Sequence, residues 1–247
     1  MRILISGILG AMGKEVANLC RNGYMGAELA GGVDINAAQS TIEEPVAADF
    51  AGAITDVDCI VDFSHHSNTQ SLLDFAVSNH IPLVLATTGQ TDEEREMIAQ
   101  AAKEIPLFFA ANYSLGVAVL VDLAKRAAAA MPDAEIEIIE KHHNRKLDAP
   151  SGTALTLANE LKTVRENANI VLGRAGSGKR QPNDIGIHAI RMGNIVGEHE
   201  VIIGTQNQTI TLKHEAHSRA LFAEGALSAA AFLVKQNAGL YNMNDLV

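Results

Sequence analysis

The hydrophobic pattern begins with short, mainly apolar runs set between glycine or polar punctuation. Ile3 to Ser6, Ala27 to Val33, Val57 to Ser64, Ile81 to Ala86 and Pro106 to Ala111 each read as a strand buried on both faces. Between them lie helical stretches: Lys14 to Arg21, a run starting near His65 and ending near Ser78, and the amphipathic Asp92 to Lys103. Strands alternating with helices in this way predict a parallel, doubly wound sheet.

From Leu115 the pattern changes. Leu115 to Ala130 is a strongly apolar helix, placed to lead into a second domain. Ala134 to Glu140 then alternates apolar and acidic residues with period two, as a half-buried strand does. Gly152 to Lys162 reads as a helix, the polar stretch Ser177 to Asp184 as a loop, and Ile187–Met192, Val196–Thr205 and Gln208–Ala216 as strands of a mixed or mostly antiparallel sheet. Arg219 to Lys235 returns to apolar helix and is expected to fold back onto the first domain, with residues 240–247 as a tail. The fold class is therefore α/β, a Rossmann-like parallel sheet with a second α+β domain. Residues 1–112 and 218–247 form the dinucleotide-binding part, and 113–217 the part for substrate binding and oligomerisation.

Two glycine-rich details sharpen the first half. Gly7-Ile8-Leu9-Gly10-Ala11-Met12-Gly13 follows the first strand and opens the first helix, a Gly-x-x-Gly-x-x-Gly form of the dinucleotide fingerprint. The second strand ends at Asp34, at the spacing where an acid accepts the adenosine ribose hydroxyls. Ile35, the next residue, offers no charge to the extra phosphate of NADP, so NADH is favoured over NADPH. Farther on, strands end in small, hydroxyl or amide residues, Thr87, Thr88, Asn112, Tyr113 and Ser114, which suit the lining of a nicotinamide site.

Composition narrows the classes. The 247 residues are 47% hydrophobic, enough for a substantial core, and the net charge of −10 argues against a nucleic-acid surface or an anionic membrane partner. No apolar stretch is long enough to cross a bilayer, and no signal-peptide pattern opens the chain, so a cytoplasmic location is expected. Cys20 and Cys59 are too few for a disulfide framework and read as buried free thiols. His65 and His66 lack an acid or cysteine at ligand spacing; capping or surface roles are expected, and no metal.

The densest chemistry lies in Glu140-Lys-His-His-Asn-Arg-Lys-Leu-Asp-Ala-Pro-Ser-Gly-Thr153. His142 and His143 leave a strand end, where neighbours point to opposite faces, so at most one imidazole carries a proton to a reacting centre. Ser151 is the expected cap of the following helix, and Ser151-Gly152-Thr153 together form a seat for a carboxylate, with glycine admitting the anion close to the backbone. Arg145 and Lys146 add positive charge, so the site looks built for a small dianion.

Over essentially its full length the chain resembles the dihydrodipicolinate reductase family. That 140–153 segment carries most of the resemblance, supported by Gly7–Gly13, Asp62-Phe-Ser64, Ala86-Thr-Thr-Gly89, Ala111-Asn-Tyr-Ser-Leu-Gly-Val117 and Val196-Gly-Glu-His199. The resemblance implies reduction of a cyclic dicarboxylate, hydroxy-tetrahydrodipicolinate, by NADH or NADPH with loss of water. It implies His142 as proton donor and acceptor, Lys146 as proton donor, His143 as a substrate contact, and Gly152 and Thr153 as holders of a substrate carboxylate. Gly7 to Met12, Asp34, Ala86, Thr87, Thr88 and Ala110, Ala111, Asn112 and Tyr113 would bind the cofactor. Family members are homotetramers through the second-domain sheet. Ala86 and Tyr113 stand where the family commonly has glycine and phenylalanine. Two other readings stay open, another two-domain Rossmann dehydrogenase and a sensor that binds NAD(H) without turnover.

Overall fold

The computed structural model describes residues 1–247, which divide into two compact units, Met1–Ser114 with Ala220–Leu246, and Leu115–Arg219 with Val247. The sequence placed these boundaries two residues earlier, after 112 and after 217.

In the first unit the chain runs β1 (Arg2–Ser6), α1 (Ala11–Arg21), β2 (Glu28–Val33), β3 (Val46–Ala47), β4 (Cys59–Asp62), α2 (Thr69–Ser78), β5 (Leu83–Leu85), α3 (Asp92–Ala101) and β6 (Pro106–Phe109). The apolar runs form strands because helices cover both faces: Ile3, Leu4, Ile5, Ile60, Val61, Leu83, Val84 and Leu85 are inaccessible to solvent. Helix α3 starts where Thr91 accepts from the Glu94 amide and the Glu94 carboxylate accepts from the Thr91 amide, a reciprocal capping box.

The second unit contains α4 (Leu115–Ala130), β7 (Glu135–His142), α5 (Gly152–Lys162), β8 (Asn169–Leu172), β9 (Asp184–Arg191), β10 (Gly197–Gly204) and β11 (Thr209–Ala216). Its five-stranded sheet has the order β11-β10-β7-β9-β8. Strand β10 is antiparallel to both neighbours, whereas β7 and β8 run parallel to β9, so the sheet is mixed. The period-two pattern of β7 turns Ile136 and Ile138 inward, where they pack with Leu120, Val121 and Ala124 of α4 and Leu157 and Leu161 of α5. Truncating Ile138 to alanine in such a core costs about 2–5 kcal/mol.

The chain then returns to the first unit with α6 (Ala220–Leu233) and β12 (Gly239–Tyr241). Helix α6 lies against α1, β4, β5 and β6, as the expected fold-back requires, and the small residues Ala223, Gly225, Ala226 and Ala230 on it are buried. The all-parallel first sheet has the order β12-β6-β5-β4-β1-β2-β3. Its order reverses between β1 and β4, a switch point of the kind that opens a crevice at the strand carboxyl ends.

Strands β3, β8 and β12 were missing from the sequence reading. Each is two to four residues long, below the length at which alternation is legible. The third predicted strand contracts from residues 57–64 to Cys59–Asp62 because Phe63 and Ser64 already belong to the turn beside the glycine loop.

Candidate active site

In the first unit the glycine turn lies at the switch point. Gly7 has φ of 78°, and a Cβ there would stand 2.7 Å from the carbonyl oxygen of Phe63. At Gly13 a Cβ would come within 2.1 Å of the Gly7 carbonyl, so the third glycine sets how closely α1 approaches the turn. Gly10 caps α1 without a side-chain hydrogen bond, and the first turn of α1 has no acidic residue, which leaves its positive end for an anion.

A cavity of about 460 Å³ opens beside this turn, lined among others by Gly7, Gly10, Asp34, Ile35, Asp49 and Ser64. Asp34 stands at the end of β2, its carboxylate accepting from the amides of Leu9 (3.0 Å) and Asn36 (2.9 Å). No lysine or arginine lines the cavity, while two carboxylates do. The glycine turn, the open helix end and this acid fit a dinucleotide.

Nearby, the buried Asp62 accepts from the hydroxyls of Ser64 (2.6 Å) and Thr87 (2.5 Å). Burial pushes the Asp62 carboxyl above its usual range, against the pull of Ser64, Thr87 and Ser6. Thr87 and Ala86 are buried and Thr88 is exposed, so of this trio Thr88 is the one open to a ligand.

Tyr113, expected among the cofactor contacts, is buried, with its hydroxyl placed to donate to the carbonyls of Leu85 (2.9 Å) and Phe108 (3.1 Å). The ring packs beside Phe63 and Phe108. An apolar ring with one polar tip finds both its needs inside the core, which leaves only the backbone of this residue for a ligand. His65 takes the expected capping role, accepting from the Ser67 amide, and His66 pairs with Glu94 at 3.1 Å. Cys20 and Cys59 are buried free thiols; burial pushes the Cys20 thiol up to about 12.

The second unit holds His142, His143 and His199. Across its sheet the inward rows run Ile136–Ile185–Ile203, then Ile138–Ile187–Val201, then Glu140–Ala189–His199, and last His142–Arg191. The core face thus turns from apolar to ionisable at one end, next to the start of α5. Residues two apart on a strand share a face, so the same alternation that buries Ile138 brings Glu140 beside His142.

Glu140 is fully buried. Its Oε2 accepts from His142 Nδ1 (2.7 Å) and Arg191 Nη1 (2.8 Å), and its Oε1 from Arg191 Nη2 (2.7 Å) and the Ser151 amide (2.9 Å). Burial pushes the Glu140 carboxyl up, but these donors together outweigh it and hold it below the usual range. An ionised carboxylate only accepts, so the His142 nitrogen facing it carries the hydrogen.

His199 packs edge-on to His142, ring centroids 5.2 Å apart, and its Nε2 lies 3.0 Å from the Ser151 hydroxyl. Burial first, then the neighbouring His142, pushes His199 down to about 4, so it is neutral in ordinary buffers. Ser151, expected to touch substrate, is buried: its hydroxyl takes the expected capping role on α5 by accepting from the Ala154 amide, and it meets His199. What opens outward is Gly152, around whose α-carbon there is empty space.

The loop after β7 is sewn to the β9–β10 turn. The His143 amide donates to Ile195, the Asn144 amide to Gly193, and the Met192 amide to His142. Burial, followed by the cations Arg145 and Arg219, lowers the pKa of His143. Its Nδ1 is buried with no protein partner. Lys146 pairs with Asp148 at 2.9 Å, Arg145 reaches Asn194, and Arg191 also holds the Asp148 carbonyl at 2.7 Å. Sequence reasoning missed Glu140 and Arg191. For Glu140 the two-residue spacing to His142 was the available signal; for Arg191, brought in by strand pairing from far along the chain, there was none.

Two family models match the chain: "Dihydrodipicolinate reductase, N-terminus" over residues 1–113 and "Dihydrodipicolinate reductase, C-terminus" over residues 116–247. A 4-hydroxy-tetrahydrodipicolinate reductase of Caldanaerobacter subterraneus subsp. tengcongensis is 46% identical, covering 100% of this chain and 98% of that protein. One of Clostridium tetani is 42% identical, covering 100% and 97%. Among solved structures, a dipicolinate-bound dihydrodipicolinate reductase from Paenisporosarcina sp. TG-14 superposes with a TM-score of 0.84 at 25% identity, covering 100% of this chain and 99% of the other. A probable dehydrogenase from Thermotoga maritima shares the fold, with a TM-score of 0.67 at 12% identity, covering 99% and 92%.

Proposed function

The chain belongs to the dihydrodipicolinate reductase family, and on that premise we propose that it reduces 4-hydroxy-tetrahydrodipicolinate to tetrahydrodipicolinate with loss of water, in the diaminopimelate route to lysine. NADH or NADPH supplies the hydride when bound. Gly7, Ile8, Leu9, Gly10, Ala11 and Met12 hold its pyrophosphate, Asp34 its ribose, and Ala86 to Thr88 and the Ala110 to Tyr113 backbone its nicotinamide end. NADH is the preferred form, because the cavity around Asp34 and Ile35 contains two carboxylates and no cation.

His142 carries the reading. Its Nδ1 is tied to Glu140, which leaves Nε2 as the nitrogen from which a proton departs. Lys146 is the second proton donor, held by Asp148. One substrate carboxylate rests on Gly152 and Thr153 at the open start of α5, and His143 is a further substrate contact. A planar pyridine dicarboxylate, the ligand in the Paenisporosarcina structure, is the expected mimic.

The enzyme acts in the cytoplasm as a homotetramer. No helix is long and apolar enough to cross a membrane, and the face of the second sheet opposite α4 and α5 exposes Ile190 and leaves Ile139 and Ile202 half-buried. The test is oxidation of NADH and NADPH with substrate generated in place from pyruvate and aspartate semialdehyde by the preceding enzyme. Rapid oxidation lost in His142→Gln and Lys146→Ala is expected. Nucleotide binding without oxidation would move the chain to a sensor or another dehydrogenase.

A further inference from the structure

Glu140 is an odd residue to bury. The two inward residues before it on β7 are Ile136 and Ile138, and a fold that needed only packing would continue with another aliphatic side chain. Instead the strand places a carboxylate with no solvent access and surrounds it with donors from three directions: Arg191 on β9, the Ser151 amide at the start of α5, and His142 two residues along its own strand. Arg191 and Ser151 hold the carboxylate; the carboxylate holds His142.

That distinction matters because the two imidazole nitrogens are not equivalent. The hydrogen bond made by one decides what the other does. The Nε2 edge of His142 faces Gly197, where even a Cβ would stand only 3.1 Å from Nε2. A glycine there leaves that edge without a covering side chain. His199, the other ring against His142, is neutral and bonded to Ser151, so it does not compete for the Glu140 carboxylate.

We propose that Glu140 is a positioning residue for the reduction, locking His142 in the orientation and tautomer in which Nδ1 keeps its hydrogen and Nε2 delivers the proton, with Arg191 holding Glu140 in place. This rests on the reading of His142 as the acid. In the step, the conjugated cyclic imine takes up the cofactor's hydride, the Nε2–H bond of the imidazolium breaks, and its proton forms a new bond at the carbon or nitrogen that the hydride addition leaves electron-rich. His142 is left neutral with Nδ1–H still on Glu140, and solvent returns the proton to Nε2. Glu140 stays ionised throughout.

The arrangement also specifies what a glutamine would do. Both carboxylate oxygens accept from Arg191, so an amide at residue 140 must turn its NH2 group toward Arg191 and either the Ser151 amide or His142 Nδ1. When it faces His142, Nδ1 must become the acceptor and the tautomer reverses.

The test is nitrogen-15 NMR of the whole protein, with the His142 signals assigned by their loss in His142→Gln. In the wild type the neutral ring is expected with Nδ1 protonated and Nε2 bare, and in Glu140→Gln with the opposite, because His142 Nδ1 can become an acceptor for the NH2 group and the Ser151 amide cannot. Steady-state kinetics of Glu140→Gln should show kcat lowered about 100-fold, with the substrate KM and dipicolinate affinity nearly unchanged. A neutral wild-type His142 ring with its hydrogen on Nε2 and a bare Nδ1 would overturn the proposal, and it is decisive even if Glu140→Gln does not fold. So would a Glu140→Gln enzyme of normal kcat beside a His142→Gln enzyme that has lost it. Normal kcat in His142→Gln would instead remove the acid itself, and the role of Glu140 with it.

Discussion

Arg191 grips both carboxylate oxygens of the fully buried Glu140, at 2.7 and 2.8 Å, across the parallel pairing of β7 with β9. The two residues are 51 positions apart in the chain, so the pair forms only once the sheet has formed. Pairing in this two-pronged geometry adds direction as well as attraction.

Removing one partner should therefore cost more than the pair contributes. Arg191→Met leaves a buried carboxylate without its cation, and about 3–5 kcal/mol of unfolding free energy should be lost in urea titration. The double variant Arg191→Met with Glu140→Leu should recover part of this, since no charge remains buried, although the Ser151 amide then loses its acceptor. A double variant whose loss equals the summed losses of Arg191→Met and Glu140→Leu would show that the two residues are not coupled.

Acid should destabilise the protein through the second sheet. Burial pushes Glu137 up, but His188, Arg174 and Arg180 outweigh it, and Glu137, like Glu140, lies below its ordinary value of 4.5. A depressed carboxyl contributes stability that is complete above the unfolded value and disappears as pH falls through the folded one. The urea midpoint should begin to fall below about pH 6.5, where unfolding lets the buried His199 take up a proton, and fall further below about pH 5 as the glutamates titrate, the part that Glu137→Gln should flatten. Asp62 acts with the opposite sign: burial raises it, so its contribution improves on acidification. A midpoint rising as pH drops below about 4.5 would mean that Asp62 outweighs the two glutamates.

Cofactor preference should respond to one side chain. Ile35 is 82% exposed at the rim of the cavity that Asp34 lines. Ile35→Arg offers a planar cation where a ribose phosphate would lie, and a gain of about 1.4 kcal/mol shifts the NADPH to NADH ratio of kcat/KM about tenfold. An unchanged ratio would mean that the adenosine ribose does not bind beside Asp34.

What the sequence disclosed and what it hid follow a physical division. Helices α4 and α5 were legible to the residue, one from a sixteen-residue run of mostly apolar and small side chains, the other from Pro150 and the Ser151 cap. The glycine turn, Asp34 and the His142–Lys146 loop were legible because each is written in neighbouring residues. Side-chain direction was less so. Ser151 and Tyr113 both carry hydroxyls that could serve a ligand, and both turn inward because buried partners exist, His199 for one and two strand-end carbonyls for the other. Those partners lie 48 and 28 residues away for Ser151 and for the Tyr113 bond to Leu85, beyond any local pattern.

The same long-range dependence makes α6 matter to the cofactor segment. At Gly225 a Cβ would lie 1.6 Å from the Tyr113 carbonyl oxygen, a contact with backbone that no rotamer can relieve. Gly225→Ala must therefore push α6 and residues 110–113 apart. Because that segment is assigned to the nicotinamide end, the variant should lose about 1–3 kcal/mol of stability and bind NADH more weakly by fluorescence titration. Gly178→Ala, which meets nothing within 4 Å, is the control and should change neither. Normal stability with weakened NADH binding would place the strain in the segment alone. Weakened stability with normal binding would remove residues 110–113 from the cofactor site.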